Sequence, residues 1–135
     1  EVLIEALLDG TIDCVVTDHS PEDIESKDVE FEYAAYGMIG LETAYSVLNS
    51  ALDGKINPVH VANILSINPR SIIGVDVPTI STGVVANFTL FNPTAEVVYT
   101  ANDFKSKSRN TPFINHPLKG KVMMAINKTV LSDNF

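Results

Sequence analysis

Helical periodicity ends at Gly74, and the residues beyond it read almost entirely as strand and turn. This change of pattern limits the chain to folds that place helices and antiparallel strands in separate regions. Before it, Val2 to Leu8 form a short apolar run stopped by Gly10. Leu41, Ala44, Tyr45, Leu48, Ala51 and Leu52 recur at helical spacing, with Gly54 as a cap. They predict a helix starting at Ile39. Asn57-Pro58 is an N-cap followed by proline at the first helical position. Asn68-Pro69 repeats that device for a very short third helix closing at Gly74. After Pro78, Thr82 and Gly83, strands are expected over Val84 to Phe91 and Glu96 to Thr100, with Asn92-Pro93 as the turn between them. Lys121 to Ile126 and Thr129 to Leu131 read as two more strands, joined by a tight turn at Asn127-Lys128.

The fold class is therefore α/β: one end of an α/β unit, then strands too few to bury themselves. At 135 residues the chain is too short for a complete (β/α)8 barrel, which needs roughly 250. Hydrophobic residues at 45% and a mean hydropathy of +0.15 supply enough apolar material for a core. No run of ~18 apolar residues is present, so no membrane span is expected. The single cysteine, Cys14, has no internal disulfide partner. The chain opens on Glu1-Val2-Leu3-Ile4-Glu5, already inside a helical pattern, and a piece of a longer protein is the expectation. Charge is uneven: residues 1–50 hold twelve acids and one base, Lys27, within a formal net charge of −8. Residues 101–135 hold six bases and two acids. These bases read as a solvated face, not as a nucleic-acid strip.

One segment carries chemistry. Ile12 to Thr17 is short, apolar and β-branched, the signature of a strand covered on both faces. It delivers Asp18 to its C-terminal end, followed by His19, Ser20 and Pro21. That edge of a parallel α/β sheet is where ligands and catalytic groups gather. A carboxylate there can bind a divalent metal or carry a proton. An Asp in that place also serves commonly as a turn or capping residue. His19 is a ligand or a packing residue. Zinc takes three or four ligands, and His60, on a helix, and His116, in a loop, are not nearby. Residues 22–37 read as a long acidic loop, and Cys14 as a small buried hydrophobe. Glycine-rich phosphate loops, Gly-x-Ser-x-Gly and Cys-x-x-Cys are absent from the sequence.

Thr17-Asp18-His19-Ser20-Pro21, the loop with Glu25 and Lys27, and Tyr36-Gly37-Met38-Ile39-Gly40-Leu41-Glu42-Thr43-Ala44 together resemble dihydroorotase of the amidohydrolase superfamily. Asn68-Pro69-Arg70, Ser106 to Phe113 and Leu118 to Val122 extend the resemblance along essentially the whole chain. It implies the C-terminal third of such an enzyme. Residues 1–76 would be the last part of a metal-dependent TIM barrel, and residues 77–135 strands of a small β-sandwich. The implied activity is reversible hydrolysis of dihydroorotate to N-carbamoyl-aspartate, in the cytoplasm. By resemblance Asp18 is both a zinc ligand and the proton shuttle, in a full-length enzyme with two zinc ions. Glu22, Tyr36 and Gly37 fall at substrate-binding positions. Implied partners are the small-molecule substrate, a second copy in a homodimer, and a transcarbamoylase. Glu22 stands where the family usually has histidine. An anion there repels a substrate carboxylate, which keeps two alternatives in view: an inactive scaffold, and a sister enzyme of the allantoinase or dihydropyrimidinase type.

Overall fold

The structure is a computed structural model that describes residues 1–133. Its first half is helical: α1 (Val2–Leu8), α2 (Ile24–Lys27), α3 (Ala44–Leu52), α4 (Pro58–Ala62) and α5 (Asn68–Ile73). Its second half is an antiparallel sheet in the order β1 (Asn87–Val98), β2 (Pro117–Asn127), β3 (Val130–Ser132). No helix among the described residues is long and apolar enough to cross a membrane.

Helix α3 joins the halves. On one side lies a core of Leu7, Leu52, Ile56, Val61 and Ile64, with Tyr45 and Leu48 of α3 packed on it. On the other side lie Ile39, Tyr99, Phe104 and Leu118, with Val47 of α3 against them. The helix thus buries more than one stripe, and its most buried side chain, Ser46, is polar. Ser46 is satisfied: its hydroxyl donates to the Gly120 carbonyl (2.5 Å) and pairs with the Tyr99 hydroxyl (2.9 Å).

The reason lies in β1. Its pairing with β2 shifts register between Asn92 and Glu96. Such a bulge leaves ladder groups without strand partners. Side chains of α3 take them up. Asn49 Nδ2 donates to the carbonyls of Pro93 (3.0 Å) and Lys119 (3.1 Å), and the Lys119 amide donates to Ser50 Oγ (2.7 Å). Asn92 closes the bulge by accepting from the Thr94 and Ala95 amides. Gly120 is obligatory at the seam. Its φ is +97°, and an added Cβ would lie 2.8 Å from Tyr45 Cε1 and 3.1 Å from Asn49 Cβ.

Several expectations need correction. Val84 to Phe91 and Glu96 to Thr100 are not two strands with a turn between them. They fall largely on one strand, β1, with Asn92-Pro93 at its bulge, a position that tolerates proline. The hairpin turn sits at Lys128-Thr129, one residue beyond the expected place, with Lys128 at φ +57°. Asn68 is no N-cap. Residues 58–73 run on as a single rod through a π-helical stretch, Asn63–Ile67, where the Asn68 amide bonds the Asn63 carbonyl. Pro69 has no amide to give and crowds the preceding turn, and a wider π turn accommodates both. The acidic loop contains α2, capped by Asp23, whose carboxylate accepts from the Ser26 amide at 2.7 Å. Ile12 to Thr17 forms no strand ladder. A strand is defined by its neighbours, and the bonds here run from the Ile12 amide to Ala6 O, from the Val15 amide to Ile64 O and from Asn68 Nδ2 to Asp13 O, with an isolated parallel bridge just beyond from His19 to Met38.

Candidate active site

Asp18 has a left-handed backbone, φ +44°, and an exposed side chain. A non-glycine residue pays for that conformation, Asp less than most, and such outliers gather at functional turns. The segment beyond it is pinned twice. The Ser20 amide donates to Met38 O at 2.9 Å. His19 Nδ1 accepts from the amides of Gly40 (3.0 Å) and Leu41 (3.3 Å). Accepting at Nδ1 places the ring proton of neutral His19 on Nε2. His19 is therefore a backbone anchor through Nδ1. Helix α3 begins at Ala44 and not at the expected Ile39. The amides of Gly40 and Leu41 serve the histidine, and that of Ile39 serves Asn110 O (3.1 Å).

A cleft of about 990 Å³ opens beside this segment. One wall is residues 21–25 with Lys27, the other is residues 107–112, and Gly37 and Met38 complete it. Of the four candidate site residues, Glu22 and Gly37 line the cleft, while Asp18 and Tyr36 lie outside its lining. Tyr36 is 93% exposed, so its ring is held by nothing among the described residues. Gly37 has φ +114°, and a Cβ there would lie 2.5 Å from that of Ser20, so only glycine fits. Its carbonyl accepts from Lys27 Nζ (3.2 Å) and Asn110 Nδ2 (3.2 Å), which occupies both lone pairs. The Glu22 carboxylate has one long contact, 3.4 Å from Ser20 Oγ. Across the cleft stand Lys107 and Arg109, the latter donating to the carbonyls of Ser106 and Ser108. The Asp23 carboxyl is held below the usual range by hydrogen bonds from the Ser26 hydroxyl and amide.

Sequence reasoning missed Asn110 and the anchoring role of Lys27. Lys27 Nζ also donates to Ala35 O at 2.6 Å and closes the acidic loop on itself. No periodicity marks either residue, since their partners are backbone atoms brought near by folding. Among the described residues no group of three or more His, Cys, Asp or Glu side chains converges to hold a metal ion. The chain's own donors thus do not fit a zinc centre, and Asp18 offers a single carboxylate.

No protein-family model matches the chain. Curated proteins do. It is 45% identical over 124 residues to the dihydroorotase of Thermoanaerobacter sp. (strain X514), covering 90% of this chain and 28% of that protein. It is 41% identical over 123 residues to the dihydroorotase of Syntrophus aciditrophicus (strain SB), covering 90% and 29%. The chain is dihydroorotase-like. The likeness runs along nine-tenths of its residues, and the chain spans less than a third of those relatives' length. Among solved structures, L-hydantoinase from Arthrobacter aurescens superposes with a TM-score of 0.83 at 21% identity, over 96% of this chain and 30% of that one. Dihydropyrimidinase from Brevibacillus agri NCHU1002 gives 0.83 at 24%, with the same coverage. These likenesses establish that the dihydroorotase-like chain shares the α/β fold of the corresponding part of the hydantoinases. The α/β class expected from sequence is the one found.

Proposed function

We propose that this chain is the Asp18-bearing part of a dihydroorotase, a cytoplasmic enzyme that opens the ring of dihydroorotate with water. The observation that carries the reading is the 45% identity over 90% of the chain, on a segment that raises Asp18 in a left-handed turn beside a cleft. Residues 1–76 are assigned to the barrel side of the molecule and residues 77–135 to the small β domain. Water adds to the ring carbonyl carbon as its proton passes to Asp18. The ring C–N bond breaks, and Asp18 returns the proton to the leaving nitrogen. Gly37 presents its N–H to the ring, because its carbonyl is already taken. Tyr36 offers the neighbouring exposed face. Zinc, implied by the resemblance, finds one candidate ligand among the described residues, Asp18.

The test is dihydroorotate hydrolysis by the full gene product with zinc supplied. Asp18→Ala and Asp18→Asn should each lower kcat by about 10²–10⁴-fold with the fold intact. Retained turnover in either variant would overturn the assignment. A second reading is favoured by Glu22, whose carboxylate lines the cleft. It is a sister cyclic-amide hydrolase acting on rings without an anionic substituent. Turnover of dihydrouracil or hydantoin in the absence of dihydroorotate turnover would select it.

A further inference from the structure

We propose that Asn110 is a positioning residue that sets the spacing between the two walls of the cleft, and through it substrate affinity; the inference rests on the reading of that cleft as the substrate site. Segment 107–112 is a bridge fixed at both ends. The Ser106 amide donates to Glu42 Oε1 at 2.9 Å, and Phe113 packs on the core around Ile39 and Tyr99. Asn110 pins the middle. Its Nδ2 donates to Ser20 O (3.3 Å) and Gly37 O (3.2 Å). Its Oδ1 accepts from the Glu22 amide (3.5 Å). The orientation of the amide follows from its partners, since carbonyls only accept and a backbone N–H only donates. The Asn110 carbonyl accepts from Ile39 N (3.1 Å), and Ser108 Oγ donates to Glu22 O (2.7 Å).

One residue, through its side chain and its carbonyl, therefore ties three stretches that share no sequence neighbourhood: 20–22, 37–39 and 108–110. The two stretches flanking the cleft on the first wall, at Glu22 and at Gly37, are both held to it. Asp18 is held differently, through the His19 anchor to Gly40 and Leu41. Loss of the Asn110 amide should widen or loosen the cleft and leave the carboxylate in place. That separation predicts a change in KM with little change in kcat.

The experiment compares wild type, Asn110→Asp and Asn110→Ala in the full gene product. Asn110→Asp is isosteric. It keeps the acceptor, loses the donor and turns a negative oxygen toward two carbonyls. Both variants should raise KM for dihydroorotate about tenfold, with kcat within about threefold. The defect of Asn110→Asp should shrink as pH falls and the introduced carboxyl regains a donor proton, whereas that of Asn110→Ala should not. A role confined to filling space would give no such pH dependence. Amide hydrogen exchange at Glu22 and Ile39 should speed up in both variants. A fall in kcat as large as the rise in KM, or kinetics equal to wild type, would overturn the proposal. Should wild type fail to turn over dihydroorotate, the function reading falls by itself. Exchange then still decides the clip, and unchanged rates at Glu22 and Ile39 in Asn110→Asp would overturn it.

Discussion

The seam between α3 and β2 and the clip around Asn110 both join distant parts of the chain, yet they hold by different physics. At the seam the backbones approach closely. Gly120 leaves room for Tyr45 and Asn49, and Ser46 and Tyr99 are nearly inaccessible. Tyr45 stacks at 4.5 Å from Phe91 in a tilted pair, and burial pushes its phenol above the ordinary value. At the clip the participants are half-buried or exposed, and the bonds run from side chains to backbone over 3.2–3.5 Å. The seam is intolerant of added volume. The clip is intolerant of a lost donor. A scaffold and a ligand cleft place these opposite demands on a chain, because the first must exclude water and the second must admit a molecule.

The largest effect should come from Gly120→Ala. The new Cβ meets Tyr45 and Asn49 inside contact distance at a φ that L-residues avoid. A loss of about 3 kcal/mol in unfolding free energy is expected by chemical denaturation. A loss below about 1 kcal/mol would show that the seam yields, and the contrast with the clip would vanish.

Ser46→Ala sharpens the same point from the other side. It adds no volume and removes bonds to Gly120 O and the Tyr99 hydroxyl. About 1–2 kcal/mol should be lost, less than for Gly120→Ala. The reverse order would make the seam a polar device like the clip.

The smallest effect concerns the acidic wall of the cleft. The carboxyl of Asp23 caps α2, and its bonds to Ser26 depress its titration from the ordinary value of 3.8. A group whose folded value is lowered stabilises the folded form above the unfolded value, and the contribution disappears as pH falls through the folded value. The Ser26 amide should therefore gain exchange mobility only below about pH 4, a range in which Ser46 stays protected. Asp23→Asn, which still caps, should abolish that pH dependence and keep the helix turn. Mobility already present at neutral pH would show that the cap does not hold this wall.

Much of the molecule was legible before folding was considered. The α1 run with its Gly10 stop, the Asn57-Pro58 start, the apolar spacing of α3 and the switch to strands after Gly74 all reappear in the structure. Asp18 stood out by its place at the end of an apolar run and Gly37 through the resemblance, and both carry positive φ. Legibility failed wherever the deciding partner was remote. Ile12 to Thr17 has the composition of a strand and no ladder beside it among the described residues. The helix expected from Ile39 begins at Ala44, and the amides of Gly40 and Leu41 before it bond a histidine 21 and 22 residues away. Asn110 looked like one polar residue of a polar loop, and its side-chain bonds reach 73 to 90 residues back along the chain.

By itself, then, the sequence determined the local elements, the fold class, the likeness to dihydroorotase and the position of one carboxylate at a turn. These depend on spacing, capping and φ preferences within a few residues. Only the tertiary structure decided which backbone groups the bulge and the π turn would leave open, and which side chains would close them. A hydrogen bond across 70 or more residues leaves no periodic trace. It exists only once the cores on both sides of α3 have brought its donor and acceptor within reach.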